Sequence, residues 1–217
     1  MKSTNQQRRR KVTYEKTYDG HPINTGKSKA LGCDEKILSK LKKVMDDAVA
    51  RHPKDTQMLR IDFHLPSTVK DADANRVMSD LVGEIIRSFN RPRSRDLPET
   101  REPLDATYIA VREQNKAERP HFHAAFFLDK ARCWPKDFHI EEIKDITARK
   151  LGDPSMAYDC KNSHAIIKRY DPSSYDEAFY ICSYLAKVKS KDATNVREVM
   201  SSQVKHPKKS KPSNDED

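Results

Sequence analysis

The stretch HFHAAFFL, residues 121–128, sits directly behind Pro120 and is the most constraining feature of this chain. Only 35% of the 217 residues are hydrophobic and another 35% are charged, so an apolar run of this kind belongs in the core as a buried strand. Its first and third residues are histidines. On a strand, side chains at i and i+2 share a face and lie roughly 6 to 7 Å apart. His121 and His123 therefore converge on one side of the sheet while Phe122 enters the opposite layer. An isolated His-x-His pair is compatible with a plain half-buried structural role, and its meaning depends on the residues around it.

Other segments complete an alternating pattern. Asp34 can cap a helix in which Ile37, Leu38, Leu41, Val44, Met45, Ala48 and Val49 follow helical spacing, closed by Pro53. In MLRIDFHLP, Leu59, Ile61, Phe63 and Leu65 alternate with Arg60, Asp62 and His64, a strand signature. A second helix is expected from about Ala72 to Phe89, with Val77, Leu81, Ile85 and Phe89 on one stripe. TYIAVRE and HFHAAFFL form two strands joined by QNKAERP, a hairpin. A short helix over residues 138 to 150, a further strand at HAIIK and a final helix from Tyr175 to about Lys189 follow. The order β-α-β-β-α-β-α predicts an α+β domain with a mainly antiparallel sheet covered by helices, of ferredoxin-like or RRM-like type.

Domain organisation is expected as follows. Residues 1–33 contain RRRK without periodicity and read as a flexible basic arm; residues 34–53 form the N-terminal helix; residues 54–199 form the main domain; and residues 200–217 read as a disordered charged tail. The formal net charge of +9 suggests an anionic partner, of which nucleic acid is the commonest. Cys33, Cys133, Cys160 and Cys182 are scattered without a CxxC pair, which fits reduced thiols in a cytoplasm better than a disulfide framework or a structural zinc site. The N-terminus has no apolar leader and no stretch approaches ~18 apolar residues, so neither secretion nor a membrane span is expected.

Glu113 gives the histidine pair chemical meaning. It closes the strand before the hairpin, and a turn centred near Ala117 sets it opposite His121 at cross-strand neighbour distance. Two imidazoles and one carboxylate then face a common point, a mixed N/O set suited to Mn²⁺ or Mg²⁺; Zn²⁺ is also compatible by ligand type. Glu113 can alternatively be a surface carboxylate paired with Arg112, Lys116 or Arg119, and Asp62 or His64 on the neighbouring strand can contribute or substitute. In the last helix, YDEAFYICSYLAKVKSK, Tyr180, Tyr184, Lys187 and Lys191 fall within one narrow arc, with Ala178, Phe179, Ile181, Cys182, Leu185 and Ala186 opposite. Tyrosines placed for packing would sit among the aliphatics, and these do not. A phenol, with pKa near 10, is a poor nucleophile until a base, cation or metal assists it. Lysines one turn away supply such a cation and also bind phosphate.

HFH followed downstream by YICSYLAKVKSK resembles the HUH endonucleases, which include rolling-circle initiators, relaxases and related transposases. The form YxxxYxxK is most similar to the two-tyrosine phage initiators. RIDFHLP, YIAVREQ, RPHFHAAFFL and FYICSYLAKVKSK together resemble the inovirus replication proteins, also found in prophage and satellite elements, over roughly residues 55 to 200. That resemblance implies a site-specific, metal-dependent single-strand DNA endonuclease. Such enzymes nick an origin, keep the 5′ phosphate as a phosphotyrosine and leave a 3′-OH as primer. It implies His121 and His123 as metal ligands, Glu113 as the acidic ligand, Tyr184 as nucleophile, Tyr180 as a possible second nucleophile and Lys187 as the helper lysine. The partners implied are single-stranded or melted origin DNA and, because no helicase-type phosphate loop is present, a host helicase and polymerase in the bacterial cytoplasm. Arg91, Arg93, Arg95 and Lys191, with the basic arm, are expected to hold the DNA backbone. A basic DNA-binding regulator that does not cut, or a relaxase or transposase on the same scaffold, is the alternative reading. A zincin-type protease is disfavoured by the absence of HExxH.

Overall fold

The computed structural model describes residues 10–26, 31–92, 102–113, 121–188 and 198–204. Its first elements are β1 (Val12–Thr13), β2 (Thr17–Tyr18), β3 (His21–Pro22) and β4 (Cys33–Asp34). β2 and β3 form a hairpin whose two loop residues, Asp19 and Gly20, both have positive φ (51° and 82°). That is the backbone of an Asp-Gly type I′ turn, whose twist matches that of the flanking strands. β1 pairs antiparallel with β4, and Ile23 and Cys33 are buried. The expectation of a flexible arm over residues 1–33 is therefore corrected for residues 10–26 and 31–33. Apolar residues too sparse to show periodicity are enough to anchor this segment once a body exists to receive them.

Asp34 caps α1 (Glu35–Arg51), its carboxylate accepting hydrogen bonds from the backbone N–H groups of Lys36 and Ile37. The chain continues through β5 (Thr56–His64), α2 (Ala74–Asn90), β6 (Thr107–Glu113), β7 (His121–Asp129), α3 (Lys136–Leu151), β8 (Ala157–Ile167), α4 (Pro172–Ser183) and β9 (Val199–Ser201). Gly152 stops α3 in the left-handed conformation, φ 89°, that a residue with a side chain rarely adopts.

The main sheet has the order β8-β5-β7-β6-β9 and every pairing is antiparallel. With β5, β6, β7 and β8 taken in sequence, this is the βαββαβ arrangement of ferredoxin-like folds, in which two split βαβ units interleave. The α+β architecture and mainly antiparallel sheet match the expectation. β9 does not: Met200 is buried at the sheet edge, so residues 200 and 201 of the anticipated disordered tail complete an edge strand that begins at Val199.

The sheet separates two apolar layers. Leu59, Ile61 and Phe63 of β5 and Phe122, Ala124, Phe126 and Leu128 of β7 pack against α2 and α3. Met58, Ile109, Val111, Ala125 and Phe127 pack against α1 and α4. Because successive strand residues alternate between faces, Arg60, Asp62 and His64 on β5, Glu113 on β6, and His121 and His123 on β7 all emerge on the α1/α4 side. α4 leaves the end of β8 remote from these residues and runs back across the sheet toward them.

Phe126 is fully buried and meets the Phe89 ring edge-on at 6.1 Å between centroids. Phe126→Ala is expected to destabilise the protein by about 3 to 5 kcal/mol through lost transfer energy and the cavity left behind, read from the shift in the urea unfolding midpoint.

Candidate metal centre and its tyrosine

β6 and β7 pair so that Glu113 lies opposite His121, the register expected from the sequence, although the connecting residues 114–120 lie outside the described residues. On its other side β7 pairs with β5, setting Asp62 opposite His123 and His64 opposite His121. Glu113, His121 and His123 each offer a ligand atom, and these atoms lie within 4.8 Å of one another. Glu113 and His123 are buried, at 4% and 5% exposure, whereas His121 is only partly covered. Glu113 is therefore buried and not a surface carboxylate, and Arg112 turns to the opposite face, where its guanidinium contacts Asp71 Oδ1 at 2.5 Å; Lys116 and Arg119 lie outside the described residues.

His123 stands between two acids. Its Nε2 is 2.5 Å from Glu113 Oε2, and its Nδ1 is 2.6 Å from Asp62 Oδ1. The second contact is a close charge pair, with the ring N–H off the line a hydrogen bond requires. Burial alone would push the His123 ring below its ordinary value, but the two carboxylates outweigh it and raise the ring. Burial likewise pushes the Asp62 carboxyl up, and contact with His123 and the charge of Arg60 reverse this, holding it at about 2. His121 is lowered, first by burial and then by the charge of His123.

This donor set fits a divalent cation. Two imidazoles and a carboxylate converge, with ligand atoms within 4.8 Å of one another and the His123 Nε2 turned to Glu113. Behind His123, Asp62 occupies the position of the outer carboxylate that fixes ring orientation in metal-binding histidines. His64 stacks on His121, ring centroids 5.6 Å apart. Asp62 and His64 thus flank the ligands.

α4 ends at Ser183, and Tyr184–Ala186 continue as a single 3₁₀ turn before Lys187 becomes extended. The continuous helix expected to about Lys189 is corrected accordingly. The reason lies in the N-terminal segment: the Asn24 N–H donates to Ser183 Oγ at 2.8 Å, Cys33 bridges Lys187, and the Val188 N–H donates to the Gly32 carbonyl at 2.8 Å. These contacts draw the chain out of helical geometry. The expected apolar arc is preserved, with Ala178, Phe179, Cys182, Leu185 and Ala186 buried and Ile181 partly so.

The tightened turn brings Tyr184 over the histidines, its ring 5.4 Å from that of His123 and perpendicular to it. Lys187 Nζ donates to the Tyr184 hydroxyl at 2.7 Å and lies 3.4 Å from Glu113 Oε1. Arg60 covers the Tyr184 ring at 4.3 Å and pairs with Asp62 at 3.1 Å. Six residues, Arg60, Asp62, His123, Glu113, Lys187 and Tyr184, thereby form a closed circuit of contacts. Tyr180, one turn earlier, is 44% exposed on the outer side of α4. Arg91 is exposed at the end of α2, and Arg93, Arg95 and Lys191 lie outside the described residues. Sequence reasoning had no role for Arg60 and treated Asp62 as a substitute ligand. The available signal was three polar residues, at 60, 62 and 64, on one face of a strand flanked on both sides.

A family model described as the YagK/YfjJ C-terminal domain matches residues 13–134. No curated protein matches the chain, and no solved structure does. The matched span contains Asp62, Glu113, His121 and His123 and ends before Tyr184 and Lys187. No described helix is long and apolar enough to cross a membrane.

The purified protein is expected to bind one Mn²⁺, with binding abolished in His121→Ala and His123→Ala while circular dichroism stays unchanged. Asp62→Asn is expected to weaken binding roughly 10- to 100-fold, the usual effect of losing an outer carboxylate. Isothermal titration calorimetry separates these cases.

Proposed function

We propose that this chain, which belongs to the YagK/YfjJ C-terminal domain family, is a metal-dependent DNA endonuclease and ligase that nicks one strand at a replication origin and thereby starts rolling-circle replication. The observation that carries this reading is the tyrosine hydroxyl held by Lys187 beside the His-His-Glu cluster. The relation of the family to HUH-like nucleases supports it, as does the net charge of +9.

Glu113, His121 and His123 would hold the cation, Mg²⁺ or Mn²⁺. When bound, such an ion supplies Lewis acidity toward the non-bridging oxygens of a phosphodiester. The remaining chemistry belongs to the protein. The Tyr184 oxygen attacks phosphorus, forming a phosphotyrosine bond as the bond from phosphorus to the 3′ oxygen breaks. The phenol proton passes to solvent, and the departing 3′ oxygen takes one up from solvent to become a hydroxyl. Lys187, at hydrogen-bond distance from the phenol oxygen, stabilises the negative charge that develops there. Arg60 fixes the ring plane from the other side through cation–π contact. Esterification conserves the energy of the broken bond, so rejoining to a 3′-OH requires no nucleotide cofactor. Tyr180, a candidate second nucleophile for a successive transfer, stands on the exposed side of α4. Arg91 and the basic segments hold flanking backbone, and unwinding and synthesis fall to host helicase and polymerase in the bacterial cytoplasm.

Incubation of labelled single-stranded origin oligonucleotides with protein and Mn²⁺ is expected to give a covalent adduct on a denaturing gel. Tyr184→Phe should bind the oligonucleotide normally and yield at least ~10²-fold less adduct on first cleavage. An adduct that persists at full yield when Tyr180 and Tyr184 are both phenylalanine would refute the tyrosine assignment.

A further inference from the structure

β8 departs from regularity beside the site. Its pairing with β5 jumps from Leu59↔His164 to Ile61↔Asp159, so the four residues 160–163 are looped out opposite Arg60 alone. Asn162 adopts a left-handed φ of 57°, and Lys161 and Asn162 are exposed. Bulges of this kind bend an edge strand and re-aim the side chains next to it. Just before the bulge, pairing resumes with Tyr158 opposite Asp62.

The register fixes where Tyr158 emerges. Ala157 joins the α2/α3 layer with Phe63, so Tyr158 shares the face of Asp62 and His123. Two strand spacings, about 10 Å, separate its backbone from that of His123. Tyr158 is 58% exposed. The other exposed tyrosines are placed differently. Tyr170, 92% exposed, lies past the remote end of β8, Tyr14 lies on the N-terminal segment against Gly32, and Tyr180 is on the outside of α4. Tyr158 alone among them stands on the sheet, held in register by flanking pairs at Asp159 and Ala157.

Resting on the nicking reading above, we infer that Tyr158 is a stacking platform for a base of the bound single strand, next to the phosphate presented to Tyr184, with Lys161 of the bulge on the adjoining backbone. An exposed aromatic ring on a strand held in register suits this ligand, because every base has a π-face and stacking tolerates any sequence. Lys161 adds a phosphate contact whose strength falls with salt, whereas the ring's contribution does not. Tyr158 is therefore a positioning residue for the substrate and takes no part in bond making.

The test measures fluorescence anisotropy of a labelled single-stranded oligonucleotide with the full chain, without divalent ion, across a salt series. The forms compared are the unaltered protein, Tyr158→Ala, Tyr158→Phe and Tyr184→Phe, with adduct formation in Mn²⁺ measured separately. Tyr158→Ala is expected to bind roughly 5- to 150-fold more weakly with an unchanged salt slope. Tyr158→Phe is expected to stay near the unaltered protein, and Tyr184→Phe to bind normally. Equal affinity of Tyr158→Ala and the unaltered protein, with adduct formation intact, overturns the platform and leaves the nicking reading standing. Tight, Tyr158-dependent binding with no adduct under any divalent ion supports the platform and removes the nicking reading. Failure of the unaltered protein to bind single strands overturns both.

Discussion

Two carboxylates press on one buried imidazole, and most of the site follows from that arrangement. Asp62 and Glu113 reach His123 from the strands on either side of β7, so three adjacent strands each contribute one member. Burying these charges is tolerable only because they compensate one another; removing one would leave an unpaired charge in a poorly solvated place. Arg60 and Lys187 extend the compensation outward, each engaging one of the acids and also Tyr184. The tyrosine is thus oriented by the groups that balance the acids, and the cluster and Tyr184 share a single electrostatic solution.

The sheet makes this possible because it is covered on both faces. Phe122 and Phe126 bind β7 to the α2/α3 layer while Phe127 binds it to α1 and α4. A strand held from both sides has little freedom to slip, and a slip of one residue would send both histidines into the opposite layer. The same geometry explains the division of labour along β7. Its Ala125–Leu128 half lies fully within the two apolar layers, whereas the His121–His123 half carries the polar cluster, with His121 partly exposed.

Much of this was legible in the sequence. Period-2 alternation in RIDFH, the apolar run AAFFL and the helical stripe of Ile37 to Ala48 gave the elements, their order and the sheet face of both histidines. The length of QNKAERP gave the register that sets Glu113 against His121. What escaped has physical causes. β8 was recognised only at HAIIK because the bulge at 160–163 breaks the alternation that identifies a strand, and this concealed Tyr158 as well. The end of α4 was misjudged because helical spacing persists through Tyr184 and Lys187, while the forces that unwind the chain come from residues about 160 positions earlier in sequence. A window of local pattern cannot register such a contact. β2, β3 and β9 are too short to carry a period.

The N-terminal segment deserves a different standing from that of a charged appendage. Through Asn24, Gly32 and Cys33 it grips both ends of the turn bearing Tyr184 and Lys187. Gly32 has no room for a side chain, since a Cβ there would come within 2.5 Å of Val12 and 2.8 Å of the Tyr14 ring. A chain shortened to begin at the first long helix would keep Glu113, His121, His123 and every strand of the five-stranded sheet, yet lose the brace on the turn that carries the Tyr184 hydroxyl. Residues 10–26 and 31–34 therefore belong to the body that positions Tyr184, and whatever engages them has a direct mechanical route to that side chain.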